Sequence, residues 1–275
     1  MSARGATIAG AAVALVAAGA TRASAQHCHI DVPTARPASA TPPAVAVTVA
    51  MRVTAGAARV PELTTPGMID RGYQGADLVV DVTWRRLTGE ARLGAFRVDD
   101  HGVGVDDLAA SLAAELTPRR APVAVSALAG VTLPTGDADA GRGMGHVMVA
   151  GGAVAHGRWG RVAVDGTVTY ARALGDAAEH AAHAHGAELW PLIDPMSPEE
   201  VSVDLGARVA VGPSGLSLRG SGMFGQPLGH GDPRLIATGG VGYGRGRYQV
   251  EASLAVPAMS DAFIARGQLA LAYHY

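Results

Sequence analysis

The chain has 275 residues, 48% of them hydrophobic and 17% charged, with 37 Gly and a formal net charge of −2. It is too apolar for a disordered chain, and without a basic tract (Lys is absent and every basic side chain is Arg) nothing points to nucleic acid. Beyond the first 25 residues no apolar run reaches the 18 residues that a membrane-spanning helix requires, so the apolar side chains must be accommodated by another route.

Residues 1–25 read as a secretory signal. Arg4 supplies the positive charge, Ile8 to Ala20 the apolar stretch, and Ala23-Ser24-Ala25 a small-residue cleavage site, so the mature chain starts near Gln26. Cys28 is the only cysteine, which excludes an internal disulfide. It stands between His27 and His29, three metal-ligand types in a row. Consecutive side chains in an extended segment point to opposite sides, so the trio reads as solvated tail. Residues 26–43 form a Pro/Ala-rich periplasmic linker, and the folded domain spans 44–275.

From Ala44 onward the period is two, the mark of strands. In 44–55 Val45, Val47, Val49, Met51 and Val53 share one face, against Thr48, Arg52 and Thr54. A long connection over about 56–75 leads to 76–87, where Leu78, Val80, Val82 and Trp84 oppose Asp81, Thr83 and Arg85, and Thr88-Gly89 is expected as a short turn. Segments 90–98 and 106–117 alternate less clearly. The second has the Ala and Leu of a helix, but Leu108, Ala110, Leu112, Ala114 and Leu116 alternate, so it is expected as a strand. Further strands follow at 123–133, 147–156, 160–171, 201–211, 216–225, 234–243, 247–256 and 263–275. Turns are expected at His156-Gly157-Arg158, Gly212-Pro213-Ser214-Gly215 and Gly244-Arg245-Gly246, and long connections at 134–145 and 173–199.

These features specify an all-β fold: a transmembrane, up-and-down antiparallel β-barrel of about 12 strands. Strands of soluble proteins cluster near five or six residues, whereas tilted transmembrane strands need about 9–11. Long and short connections alternate, as they do in outer-membrane barrels. The few aromatics gather at strand ends: Trp84, Trp159, Tyr243, Tyr248, Tyr273 and Tyr275 near short turns, Tyr170, Phe224 and Phe263 near long loops. Phe96 and Trp190 do not fit this pattern. In the last strand Leu269, Leu271, Tyr273 and Tyr275 share an apolar face ending in an aromatic residue. That face resembles the C-terminal signal read by the barrel-insertion machinery.

One stretch carries a family resemblance. Gly102-Val103-Gly104-Val105-Asp106-Asp107, then VAVSALAGVTLPTGD at Val123–Asp137 and a Gly-rich loop, resembles the outer-membrane β-barrel family named for the meta-pathway of phenol degradation. The likeness is clearest over about residues 100–175. Val105 before the acidic pair and the low aromatic content depart from the family pattern. The resemblance implies outer-membrane location and uptake of small, often apolar compounds, and it brings no catalytic residues.

On the barrel reading the inward face carries Arg52, Arg85, Arg208, Arg219 and Arg266 against Asp81, Glu115, Asp165, Asp204 and Glu251. Equal numbers of each sign imply a polar lumen without strong charge preference, whether these residues line a pore or pair across strands to plug it. His180, His183 and His185 in the longest connection have spacing that could hold Zn, Cu or Ni, although a solvated loop explains them equally simply. No Gly-x-Ser-x-Gly elbow and no Gly-Lys-Ser/Thr phosphate loop occurs, and no cofactor is expected. The sequence thus reads as a non-enzymatic outer-membrane barrel. It is expected to pass small solutes through the lumen while meeting lipid outside and to have no nucleic-acid partner. A plugged structural or surface-interaction barrel and a secreted soluble β domain are the alternatives.

Overall fold

The computed structural model describes residues 26–27, 45–61, 68–98, 102–118, 121–136, 143, 145–174, 193–194, 199–228, 232–259 and 263–275. Twelve long strands follow one another: β1 (Val45–Pro61), β2 (Met68–Trp84), β3 (Leu87–Val98), β4 (Leu108–Glu115), β5 (Val123–Leu133), β6 (Met148–Trp159), β7 (Val162–Ala173), β8 (Glu199–Val211), β9 (Leu216–Pro227), β10 (Arg234–Arg245), β11 (Tyr248–Met259) and β12 (Phe263–His274). Each is antiparallel to the next, and β12 returns to β1 with Tyr273 opposite Val49 and Leu269 opposite Val53. Closure removes both sheet edges, so the backbone groups of the wall pair without water, as hydrocarbon requires. Twelve strands at about 4.8 Å spacing and a tilt near 40° give a backbone diameter of roughly 24 Å.

Alternation sends the apolar residues outward. Met51, Leu78, Leu205 and Leu269 are exposed on the outer face, where a soluble domain would bury them. Inside, apolar side chains pack between the polar ones, as in the Met223–Ile236–Ala255 and Ala113–Leu128–Val154 clusters.

Several boundaries differ from the sequence reading. β1 and β2 run to 17 residues each and leave only 62–67 between them, because pairing continues from Val45–Trp84 to Pro61–Met68. The turn expected at Thr88-Gly89 lies at Arg85-Arg86, with Thr88 and Gly89 inside β3, opposite Thr83 and Val82. Likewise β6 runs through His156 and Gly157 to Trp159, and its turn is Gly160-Arg161; β10 turns at Gly246-Arg247. In these two-residue turns the first residue is left-handed: Gly160 at φ 58°, Gly246 at φ 62° and Arg85 at φ 56°. Within segment 106–117, Leu108–Glu115 forms the strand β4, since tertiary pairing overrides the helical preference of Ala and Leu.

The connection between β3 and β4 contains a short strand, Gly102–Val105, which pairs with Ala95–Val98 of β3. It continues the line of β4 along β3 with a one-residue slip: Val105 stands opposite Ala95, and Ala109 opposite Arg92. The slip is a bulge at Asp106-Asp107, and it turns two consecutive carboxylates away from solvent, to 2% and 1% exposure.

Candidate functional site: the barrel lumen and its loop-end mouth

The bulge is where the two sequence motifs meet. Asp106 N donates to the Gly94 carbonyl, which holds the bulge on β3. Beyond the end of β5, Thr135 Oγ1 donates to the Asp106 carbonyl at 3.0 Å and accepts from Leu108 N at 2.8 Å. Gly136 N donates to Asp107 Oδ1 at 2.9 Å, and a Cβ at Gly143 would come within 2.7 Å of the same oxygen. The Leu133-Pro134-Thr135-Gly136 turn is therefore clasped onto the Asp106-Asp107 bulge. Asp106 Oδ1 accepts from Asp107 N, whereas Oδ2 forms no hydrogen bond and lies 3.8 Å from Arg92 Nη2. Burial outweighs the Arg92 charge and pushes the Asp106 carboxyl up to about 6.

Beside the clasp, Tyr73 and Phe96 pack inward at 4% and 2% exposure, their ring centroids 6.0 Å apart. The Phe96 ring lies flat against the wall over Gly75, its cross-strand partner, and beside Gly94. A Cβ on Gly75 would occupy the space of the ring itself, so glycine is required there.

Between the apolar clusters, the rest of the inward face carries charged pairs. Arg234 Nη2 reaches both carboxylate oxygens of Glu200, at 2.7 and 2.6 Å, in a buried pair. Arg52 lies 3.8 Å from Asp77. Toward the short turns Glu251 receives two arginines, Arg208 Nη2 at 2.5 Å and Arg219 Nη1 at 3.0 Å. Arg208 is on β8 and Glu251 on β11, with two strands between them, so this contact crosses the lumen side of β9 and β10. At the same end Thr48 Oγ1 and His274 Nδ1 are 2.9 Å apart across the closing seam.

Of the residues expected to line the lumen, Arg52, Asp81, Glu115, Asp165, Asp204, Arg208, Arg219, Glu251 and Arg266 lie at inward positions of their strands. Arg85 does not. The two-residue turn ends the alternation before it, and its exposed guanidinium sits over the Trp84 ring at 4.9 Å. The sequence reading missed inward Asp77, Glu90, Arg92, Glu200 and Arg234, and it missed the aromatic pair. Asp77, Glu90 and Arg92 lie within the strands expected at 76–87 and 90–98, so alternation carried through those segments could have found them; nothing local marks Glu200 and Arg234 as partners. With these included, carboxylates outnumber arginines on the described inward face, in place of the expected balance. Leu269, Leu271 and Tyr273 share the outer face of β12 and Tyr275 follows its end, with Tyr273 edge-on to both Tyr248 and Tyr275. The signal segment, Cys28 and the His180, His183 and His185 group lie outside the described residues. Among the described residues no group of three His, Cys, Asp or Glu side chains could hold a metal ion.

No protein-family model matches the chain, and no curated protein matches it in sequence. Solved structures share its fold. An outer membrane channel from Pseudomonas putida F1, described as COG4313, superposes with a TM-score of 0.61 at 16% identity, covering 86% of this chain and 97% of that one. The translocator domain of the autotransporter NalP from Neisseria meningitidis gives 0.49 at 12% identity, covering 98% and 96%. The chain therefore has the fold of an outer-membrane β-barrel.

Proposed function

We propose that the protein is a passive outer-membrane channel for small polar solutes, favouring cations and neutral molecules over anions. The observation that carries this reading is the inward face itself. A closed barrel wall presents charged side chains to its interior, with carboxylates in excess, and ions held there in quantity call for water rather than an apolar filling. The similarity in fold to an outer membrane channel supports the same reading. The resemblance to the meta-pathway family adds a transport role, but the charged interior favours polar solutes over the apolar ones that family suggests.

A non-enzymatic role is part of the proposal. Among the described residues the nearest approach to a nucleophile and base is Thr48 with His274, and the facing carboxylate, Asp81, stands opposite Thr48 on β2, on the far side of β1 from His274. We further propose that residues 1–25 direct export with cleavage after Ala25, and that the outward face of β12 guides insertion into the outer membrane.

The plugged barrel remains a second reading because the clasp and the Tyr73–Phe96 pair fold inward at one mouth. Planar-bilayer recording of the refolded full chain decides between the two. Steady conductance with a cation-directed reversal potential in a salt gradient is expected. Absence of any conductance would overturn the channel in favour of the plug.

A further inference from the structure

We propose that the short-turn rim of the barrel is a binding collar for anionic glycerophospholipids of the adjoining leaflet. Arg85 and Arg86 occupy the β2–β3 turn, Arg161 lies in the β6–β7 turn with Arg158 just before it at an inward rim position opposite Ala163, and Arg247 lies in the β10–β11 turn with Arg245 just before it; all six are exposed. None of the six forms an ion pair with a described carboxylate. Arg85 stacks on Trp84, and Arg247 Nη1 reaches the Tyr273 hydroxyl at 3.4 Å. The opposite end has the opposite sign. Read in sequence between the strands, every connection at the short-turn end is free of Asp and Glu, whereas the connections at the loop end hold Asp and Glu throughout and a single arginine, Arg142.

Three features select a lipid surface over a protein partner. The arginine pairs are separated by four strands each, so they encircle the barrel instead of forming one patch, and only a leaflet surrounds a barrel on all sides. They stand level with the outward-facing Trp84, Trp159, Tyr243 and Tyr248, which mark the boundary between hydrocarbon and headgroups. At the β2–β3 turn the two arginines line an open cleft together with Trp84 and Leu87, which brings cationic and apolar side chains together as a phosphate headgroup with its acyl chains requires. Arg85 also holds a left-handed backbone position that glycine fills at the two equivalent turns, so arginine stands there against conformational preference.

The test is energy transfer from the rim tryptophans to labelled lipid. Full-length protein carrying Trp190→Phe, leaving Trp84 and Trp159 as donors, is refolded into phosphatidylcholine vesicles containing a trace of either acceptor-labelled phosphatidylglycerol or acceptor-labelled phosphatidylcholine. Heat-modifiable gel mobility confirms that each sample is folded, so failure of the barrel itself is seen separately. The expected result is a roughly two- to fivefold enrichment of phosphatidylglycerol over phosphatidylcholine at the rim, falling as salt is raised. Replacing all six arginines by Gln should abolish the enrichment, and Arg97→Gln with Arg172→Gln at the loop end should leave it unchanged. Equal transfer to both lipids, an enrichment indifferent to salt, or one that survives the six replacements would overturn the proposal. The salt titration uses the rim-intact protein, so the result does not depend on the six-site variant folding.

Discussion

The Gly136 backbone N–H donates to the Asp107 carboxylate across 2.9 Å, fastening the turn after β5 onto the bulge before β4. The two residues are 29 apart in sequence, and each belongs to a motif whose meaning depends on the other. Asp107→Ala leaves the Gly136 donor without its carboxylate and should cost about 2 kcal/mol; Thr135→Val, which removes a neutral hydroxyl, should cost about 1 kcal/mol. Both lower the temperature at which the compact gel band is lost. The double variant should fall short of the sum, because the two side chains hold one turn. Full additivity would show that they act separately.

Asp106 makes the clasp sensitive to pH. Its carboxyl titrates at about 6 in the folded chain, above the ordinary value near 3.9. Between those values the folded protein keeps a proton that the unfolded chain releases, so this group's contribution is largest at low pH and is lost as pH rises through 6. The Arg92 charge and the hydrogen bond from the Asp107 backbone N–H oppose the shift, and the Asp77 and Asp107 carboxylates add to it. Asp106→Asn should therefore gain stability relative to the wild type at pH 7.5 and little at pH 4.5, measured by the same thermal assay. An equal effect at both pH values would contradict the assignment.

Glu251 holds Arg208 and Arg219 together in the lumen. Glu251→Gln leaves two partly hydrated guanidinium groups facing each other, at a cost of about 1–3 kcal/mol. It also removes one negative charge from the inward face. The reversal potential in a KCl gradient should move toward anion preference, and Arg219→Gln should move it the other way. Unchanged selectivity in both would remove this cluster from the conducting path.

Gly75 is set by the Phe96 ring lying over it. Gly75→Ala should lift the ring from the wall into the lumen and cost about 1–3 kcal/mol through overpacking. Gly75→Ala combined with Phe96→Ala should recover part of that loss. Conductance should fall in the single variant and return in the double one.

Much of the architecture was legible because alternation is local: a residue's side of a strand follows from its neighbours, and Val45–Val53 or Val201–Val211 declare it without reference to any other segment. Turn positions were legible less evenly: Gly212-Pro213-Ser214-Gly215 is a turn as expected, whereas the other short turns are displaced along the chain. Trp84-Arg85-Arg86-Leu87 contains no glycine, and Gly157 drew the β6 turn toward itself although Trp159 still pairs with Val162.

The sequence by itself determined a period-two chain with an apolar face on each strand, about twelve such strands, and aromatic residues at their ends. Those are properties of short windows. The tertiary structure alone decided which charges meet. Arg208 finds Glu251 from 43 residues away, and Arg234 finds Glu200 from 34, because strand register and barrel curvature bring their inward faces together. The Asp106-Asp107 bulge was decided the same way: a one-residue slip is visible only against the partner strand, and it turns an acidic pair into the clasp of the mouth.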